Sequence, residues 1–419
     1  MITQLKHIEK QIRSSTRIDY ALNGRKSGSL SYLLLPAPSS YPQSDRDDPN
    51  FDHTNIDTIY KRVSTVHNGK DVHEWEAVSN REQVERLTLE CMRKHFSQAD
   101  GTPLTSPEWI ERMNDEKFQN SIIDGSFDCN PYPRALRLFL SALHNPNPPK
   151  QLSIQYTFAD FRSFIKNAKE KTSSSPSGRH YGHYKVLNNT LPEILEDIYN
   201  IMMLGLHHGV VLDRYKNTVT TLIHKDDGLP KIHRLRPIHI IESELQVITK
   251  SQWARSLLSN TESNHLMADS QYGGRAQRQA QSAILNKTLI YDVHRSLAKD
   301  FTSVDEDLKA NFDRELSHIG ALEDCFYGNS YQHGQYLFKT TTSQESHVKT
   351  SFGISSNNYS FDNDQRIWGL GQGMGWSGAR WLLTSSTIDR VMNQECTGIC
   401  LESPDHKNQS FKINEHVRR

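Results

Sequence analysis

The sequence predicts an α+β chain. Three observations carry that class. Apolar residues recur at helical spacing in several stretches between residues 81 and 391. Residues 215–241 change period and read as two β-branched strands around a polar turn. A glycine-rich run, Gly369-Leu370-Gly371-Gln372-Gly373-Met374-Gly375-Trp376-Ser377-Gly378, opens one more helical pattern.

Composition sets the outer bounds. The chain has 419 residues, zero formal net charge and 35% hydrophobic residues, which suggests two or three globular units. Ser, Thr, Asn and Gln are plentiful, so long surface loops are expected. Cys91, Cys129, Cys325, Cys396 and Cys400 are scattered and outline no disulfide framework, which fits a reducing, intracellular setting. Cys396 and Cys400 read either as free thiols or as half a metal site that lacks a second pair nearby. The first residues carry charge where a signal peptide needs an apolar core. No apolar run approaches the ~20 residues of a membrane helix, so no membrane partner is expected. Neutral overall charge runs against nucleic-acid binding unless basic residues cluster locally.

Taken in order, residues 1–80 give little periodicity beyond a Pro/Ser/Asp loop over 39–50 and are expected to be poorly ordered. From 81 to 98, Val84, Leu87, Cys91 and Met92 share a helical face, and the pattern stops at Thr102-Pro103-Leu104-Thr105-Ser106-Pro107. Asn145-Pro146-Asn147-Pro148-Pro149 reads as a boundary, closing a helical linker region over 81–150. Thr157, with Asp160 three residues on, is placed to cap a helix through Phe158, Phe161 and Ile165. The stretch Thr172-Ser173-Ser174-Ser175-Pro176-Ser177-Gly178-Arg179-His180-Tyr181-Gly182-His183-Tyr184-Lys185 is a loop by composition, dense in basic and aromatic side chains. It is either a surface loop or an edge where Arg179, His180 and Lys185 meet a nucleic-acid backbone.

Residues 192–208 predict a helix with Leu195, Ile201 and Met202 inward. In the hairpin that follows, Lys225, Lys231, Arg234 and Arg236 with His224, His233 and His239 make a locally basic segment around Asp226-Asp227-Gly228. Helices are expected over 242–259, after Gln271-Tyr272-Gly273-Gly274-Arg275, over 316–327 and from Ala379 through Val391. Between them lies an acidic run, Val304-Asp305-Glu306-Asp307-Leu308-Lys309-Ala310-Asn311-Phe312-Asp313-Arg314-Glu315, a pattern that by itself is more often a solvated face.

The order of these segments resembles the reverse transcriptases of eukaryotic non-LTR (LINE-like) retroelements. Leu222 through Ile238 is similar to the fingers hairpin, Gln271-Tyr272-Gly273-Gly274-Arg275 to the segment before the palm, Asp307 through Asp313 to palm motif A, and Gly369 through Gly373 with Ser377 to motif B. The resemblance covers roughly residues 85–400. It implies a polymerase right hand built as α+β, with fingers over 151–300 and a partial palm over 301–419. It also implies Mg2+ as cofactor and an RNA template, a DNA primer and deoxynucleotides as partners. Asp307 is the implied catalytic metal ligand, with the Leu308 carbonyl beside one ion. Lys225 and Arg236 are the implied triphosphate contacts. Phe312 is the implied sugar gate, and Gln372 with Gly373 the contacts to the sugar and the template base. Asp313 is expected to be structural, holding Arg314 or a backbone group.

The pattern departs from the family at one point. The aromatic-x-Asp-Asp hairpin due after motif B is missing, as is the thumb; beyond Gly373 the only aspartates are Asp389 and Asp405. Two magnesium ions need several oxygen ligands. The chain is therefore expected to be inactive as a polymerase on its own. A non-catalytic nucleic-acid-binding remnant and a host interaction protein are the readings from other classes. The stretch before Asp307 offers only Phe301 and Val304 as apolar residues, fewer than a doubly covered strand needs.

Overall fold

The computed structural model describes residues 56–67, 70–145, 152, 156–170, 175–225, 229–296, 310–362, 366–395, 399–402 and 410–413. Several features read from the sequence lie outside these residues: the 39–50 loop, residues 146–149, the 226–228 turn, the 301–309 run with Asp307 and Leu308, and Cys396 and Asp405.

The described chain opens with an antiparallel hairpin, β1 (Ile59–His67) and β2 (Lys70–Val78), in which Arg62 faces Trp75 across the ladder. Within 1–80 this hairpin went unseen in the sequence, because Lys61, Arg62, Lys70, Asp71, Glu74 and Glu76 interrupt its apolar residues. Helix α1 (Arg81–Phe96) follows. Asn80 caps it by accepting from the Gln83 N–H, and Glu82 in its first turn and Arg93 and Lys94 in its last complement the helix dipole. It buries Val84, Leu89, Met92 and Phe96.

Short helices α2 (Pro107–Arg112), α3 (Glu116–Ile123) and α4 (Arg134–Ala142) bury Trp109, Phe118, Ile122, Leu136 and Leu140. Helix α5 (Phe158–Asn167) begins in the expected capping box of Thr157 and Asp160. Next come α6 (Tyr181–Thr190) and α7 (Pro192–His208), the latter ending on Gly209 in the left-handed region. The predicted hairpin forms as β3 (Asn217–His224) and β4 (Leu235–Ile240), paired from Val219 with Ile240 to His224 with Leu235.

The single helix expected over 242–259 is α8 (Ser243–Thr249), a π-helical stretch over Lys250–Leu257, and α9 (Leu258–Ser263). Helices α10 (Ala280–Ser296), α11 (Ser317–Phe326) and α12 (Tyr331–Thr342) lead into β5 (Glu345–Thr350) and β6 (Gly353–Ser360). The long helix α13 (Ser377–Glu395) follows the glycine-rich run, and a small hairpin, β7 (Ile399–Glu402) with β8 (Ser410–Ile413), comes after it.

The main sheet has the order β4-β3-β5-β6, with β3 and β5 parallel and the other pairs antiparallel. By register, Thr218, Thr220 and Leu222 share a face with His239, Ser346, Val348 and Tyr359. Helix α1 covers that face, where Phe96 stacks on Tyr359 at 5.8 Å and meets His239 edge-on at 5.3 Å. Leu222, Leu235, Val348 and Tyr359 join Ile56, Ile59, Val84 and Met92 in one core. The larger core lies among the helices, around Phe161, Leu195, Trp253, Leu322, Phe326 and Leu383. The molecule is mixed α+β, with small sheets. No helix among the described residues is long and apolar enough to cross a membrane.

Candidate functional site

The glycine-rich loop is the joint of the molecule. Its backbone is held from three directions by main-chain groups. Trp368 N–H donates to the Phe96 carbonyl (2.8 Å), Gly369 N–H to Glu315 (2.9 Å) and Leu370 N–H to Phe312 (2.7 Å). On the far side, the His239 N–H donates to the Gln372 carbonyl (2.7 Å). Glycine is required at two of these contacts. At Gly369 (φ +109°) a Cβ would fall 2.8 Å from the Phe312 oxygen, and at Gly373 (φ +97°) it would fall 3.0 Å from the His239 oxygen. The loop thus ties β4 to the turn that carries Phe312.

Gln246, on α8, clamps the same loop. Its Nε2 donates to the Gly373 carbonyl (2.9 Å) and its Oε1 accepts from the Gly375 N–H (2.8 Å). The Ser377 hydroxyl lies 2.6 Å from both the Leu370 and the Gly371 carbonyl. One turn before Gln246, the Ser243 hydroxyl donates to the Arg179 carbonyl (2.9 Å). Helix α8 therefore holds the glycine loop and the 175–180 loop together. The latter is anchored further by Glu242, which accepts from the Ser177 N–H (3.0 Å) and hydroxyl (2.8 Å). Arg214 bridges Glu242 and Glu244 at 2.8 and 2.9 Å.

Phe312 is half-buried, its ring 5.9 Å from that of Trp381 on α13. Its turn starts at Ala310 with φ +55° and closes with the Asp313 N–H donating to the Ala310 carbonyl (3.1 Å). Asp313 is buried, and its Oδ2 lies 2.7 Å from His95 Nε2. The partner is thus His95 on α1, not Arg314; Arg314 instead donates to Gln98 Oε1 (2.7 Å). Next to it, His239 is buried with its Nε2 3.0 Å from the Tyr359 hydroxyl, which lies 2.6 Å from that of Thr220. Burial pushes the His239 imidazole down to about 4, so it is neutral at physiological pH.

Behind the loop, Arg380 on α13 is wholly buried among three carboxylates. It reaches Glu315 at 3.0 Å, Glu323 at 2.8 Å and Asp324 at 2.8 Å. One cation cannot neutralise three anions in a dry site, and burial pushes Glu315 up to about 7 and Asp324 up to about 6. The network pins the residue after the Phe312 turn to the helix that the glycine loop opens.

The remaining candidates fall as follows. Lys225 and Arg236 are exposed on the β3–β4 hairpin, Gln372 is half-buried and Gly373 exposed. Lys185 is paired with Glu170 at 3.1 Å. His180 caps α6, with its Nδ1 accepting from the Gly182 N–H (3.0 Å). Arg179 is half-buried, and its carbonyl rather than its side chain is the anchored group. Asp307 and Leu308 lie outside the described residues. Among the described residues no group of three or more His, Cys, Asp or Glu could hold a metal ion. Asp389 is fully buried on α13 and accepts from the Ser270 hydroxyl (3.1 Å), which removes it as a surface ligand. Sequence reasoning missed Gln246, His95 and Arg380. Their signal was weak: each is a polar residue inside a helical pattern, ordinarily read as solvent-facing. Scanned against protein-family models and searched against curated proteins, the chain matches none.

Proposed function

We propose that the chain is a reverse-transcriptase-like fragment, the fingers and part of the palm of an RNA-directed DNA polymerase of non-LTR retroelement type. It binds deoxynucleotide, RNA template and DNA primer, and does not extend a primer by itself. The observation that supports this most is the docking of the Gln372-Gly373 loop between β4 and the Phe312 turn. Three segments far apart in sequence, each matching a different motif, meet through main-chain hydrogen bonds. In this reading Lys225 and Arg236 contact the triphosphate, Phe312 walls the sugar, and Gln372 and Gly373 line the remaining side.

The metal set is incomplete. Asp307 and the Leu308 carbonyl are the proposed magnesium ligands, and the buried, hydrogen-bonded Asp389 adds nothing to them. Mg2+ demands a near-octahedral shell and two ions demand more oxygens than one aspartate brings. No chemical step is therefore assigned to this chain. Primer extension with an RNA homopolymer template, a DNA primer and Mg2+ is expected to give no product. Product formation that Asp307→Ala abolishes would overturn the inactivity. Binding of a fluorescent primer–template with Mg2+ and deoxynucleotide is expected, weakened about tenfold by Lys225→Ala with Arg236→Ala, as the loss of two charge-assisted contacts implies. No binding even at low salt would overturn the reading as a whole.

A further inference from the structure

The N-terminal hairpin does not stand apart from the fold. The Tyr60 N–H donates to the Pro230 carbonyl (3.0 Å), and Tyr60 bridges Lys231. Trp75 stacks on His233, ring centroids 5.2 Å apart and planes 15° apart, while the Lys231 ammonium sits 4.8 Å from the centre of the Trp75 ring. Residues 230–233, which lead into β4, are therefore clasped by β1 and β2 through a main-chain hydrogen bond and an aromatic–cation contact.

Charge gathers at this clasp. Arg62 faces Trp75 across the ladder and is exposed, as are Lys225, His233 and Arg234. Burial and then Arg234, Lys231, Arg62 and Lys225 hold His233 below its ordinary value, so these four cations act on one point. Alternation along the strands turns Glu74 and Glu76 to the opposite face, where Lys61 pairs with Glu76 at 3.0 Å. Asp226 and Asp227 in the connecting turn offset two of the four positive charges. The remaining excess sits on a chain whose formal net charge is zero.

We infer that the clasp of β1, β2 and the segment leading into β4 is a second nucleic-acid surface, one that takes the phosphate backbone of a single strand across Arg62, Lys231 and Arg234. A polyanion fits this local excess of cations better than it fits the neutral rest of the surface. Trp75 is the keystone, because its ring is already covered by His233 and Lys231 and so positions the cations rather than stacking a base. The inference rests on the proposed nucleic-acid function for its partner; of the residues assigned to nucleotide binding it draws only on the charge of Lys225, and its phosphate contacts are other residues.

Fluorescence anisotropy with a single-stranded RNA of about 20 nucleotides, followed across a salt series, tests it. Arg62→Glu with Arg234→Glu is expected to weaken binding by at least about tenfold and to reduce the slope of log affinity against log salt by about 1.4, from roughly 0.7 per lost phosphate contact. Trp75→Ala, which keeps every cationic residue but removes the ring that positions Lys231 and His233, is expected to weaken binding in the same direction. Arg137→Glu, a single reversal of the same kind at an exposed site on α4, is expected to leave both readouts unchanged. RNA binding that the double variant does not alter would overturn this surface and leave the proposed function standing. Failure of the unaltered chain to bind RNA at low salt would overturn both. Equal binding of polyglutamate with the same loss in the double variant would assign the surface to an acidic protein instead.

Discussion

At the scale of single residues, the strongest determinants are buried charges rather than apolar side chains. Glu315 sits beside Arg380, yet burial, and after it the Glu323 and Asp324 carboxylates that share the same cation, push its carboxyl up to about 7. A carboxyl raised in the folded state binds a proton there that the unfolded chain has released. Its contribution is therefore present below the unfolded value near 4.5 and lost as pH rises through about 7. Glu315→Gln removes the titration while keeping most of the shape. Relative to the unaltered protein, this variant should match in stability near pH 5 and gain about 3 kcal/mol by pH 8. Urea unfolding at the two pH values gives the comparison, and a relative loss at pH 8 would contradict the assignment. Deleting Arg380 is a different matter, because it leaves three buried carboxylates without their cation.

At the scale of elements, α8 is the organiser. Its Ser243 end fixes the Arg179 backbone and its Gln246 fixes the glycine loop, four residues before the helix gives way to the π-helical stretch that buries Trp253. Gln246→Ala removes two hydrogen bonds at the loop and leaves the Gly373 carbonyl and the Gly375 N–H to find water. The cost should be about 1–3 kcal/mol. Amide hydrogen exchange at Gly375 should quicken, while exchange in the β3–β4 ladder stays as it was. Unchanged protection at Gly375 would show that the clamp is incidental.

Much of this level is legible in the sequence, and the reason is visible in particular residues. The capping box at Thr157 and Asp160, the helix over 192–208 and the strand pair within 215–241 all rest on local signals, which the structure repeats. The strands β5 and β6 are not legible. Their inward positions are filled by Ser346, Val348, Thr350, Ser355 and Tyr359, among which Val348 is the one aliphatic residue, so the alternation carries little hydrophobic contrast. The docking of the glycine loop is equally silent, since its contacts to Phe96, Phe312, Glu315 and His239 are made by main-chain atoms that every residue possesses. The glycines themselves are the only trace, and they say that something is close without saying what.

At the scale of the whole molecule, both cores cross the chain freely. One joins residues 56–96 to strands near 222, 235, 348 and 359; the other runs from Trp109 to Leu383. Into these cores the fold takes His183, His239, His318 and His333, each held at about 4, chiefly by burial. Such imidazoles bind fewer protons folded than unfolded, so stability is lost as pH falls from about 6.5 toward 4. Glu315 and Asp324 act in the opposite sense over an overlapping range. Four histidines outweigh two carboxylates displaced by a similar interval. The urea midpoint should therefore be lower at pH 5 than at pH 7, and the reverse order would mean that the carboxylate cluster dominates.

The parallel pairing of β3 with β5 has a consequence for how the protein is made. Strand β3 has left the ribosome when residue 224 has cleared the exit tunnel, but its neighbour begins only at residue 345. At ordinary synthesis speeds of 5–20 residues per second, the interval is on the order of ten seconds. Throughout it the β3–β4 ribbon presents an open edge of unpaired amides and carbonyls, capable of recruiting a neighbouring nascent chain. Strand β3, uncharged from Asn217 to Ile223, free of proline and rich in β-branched Thr and Val, has the composition that makes such an edge pair readily during the wait.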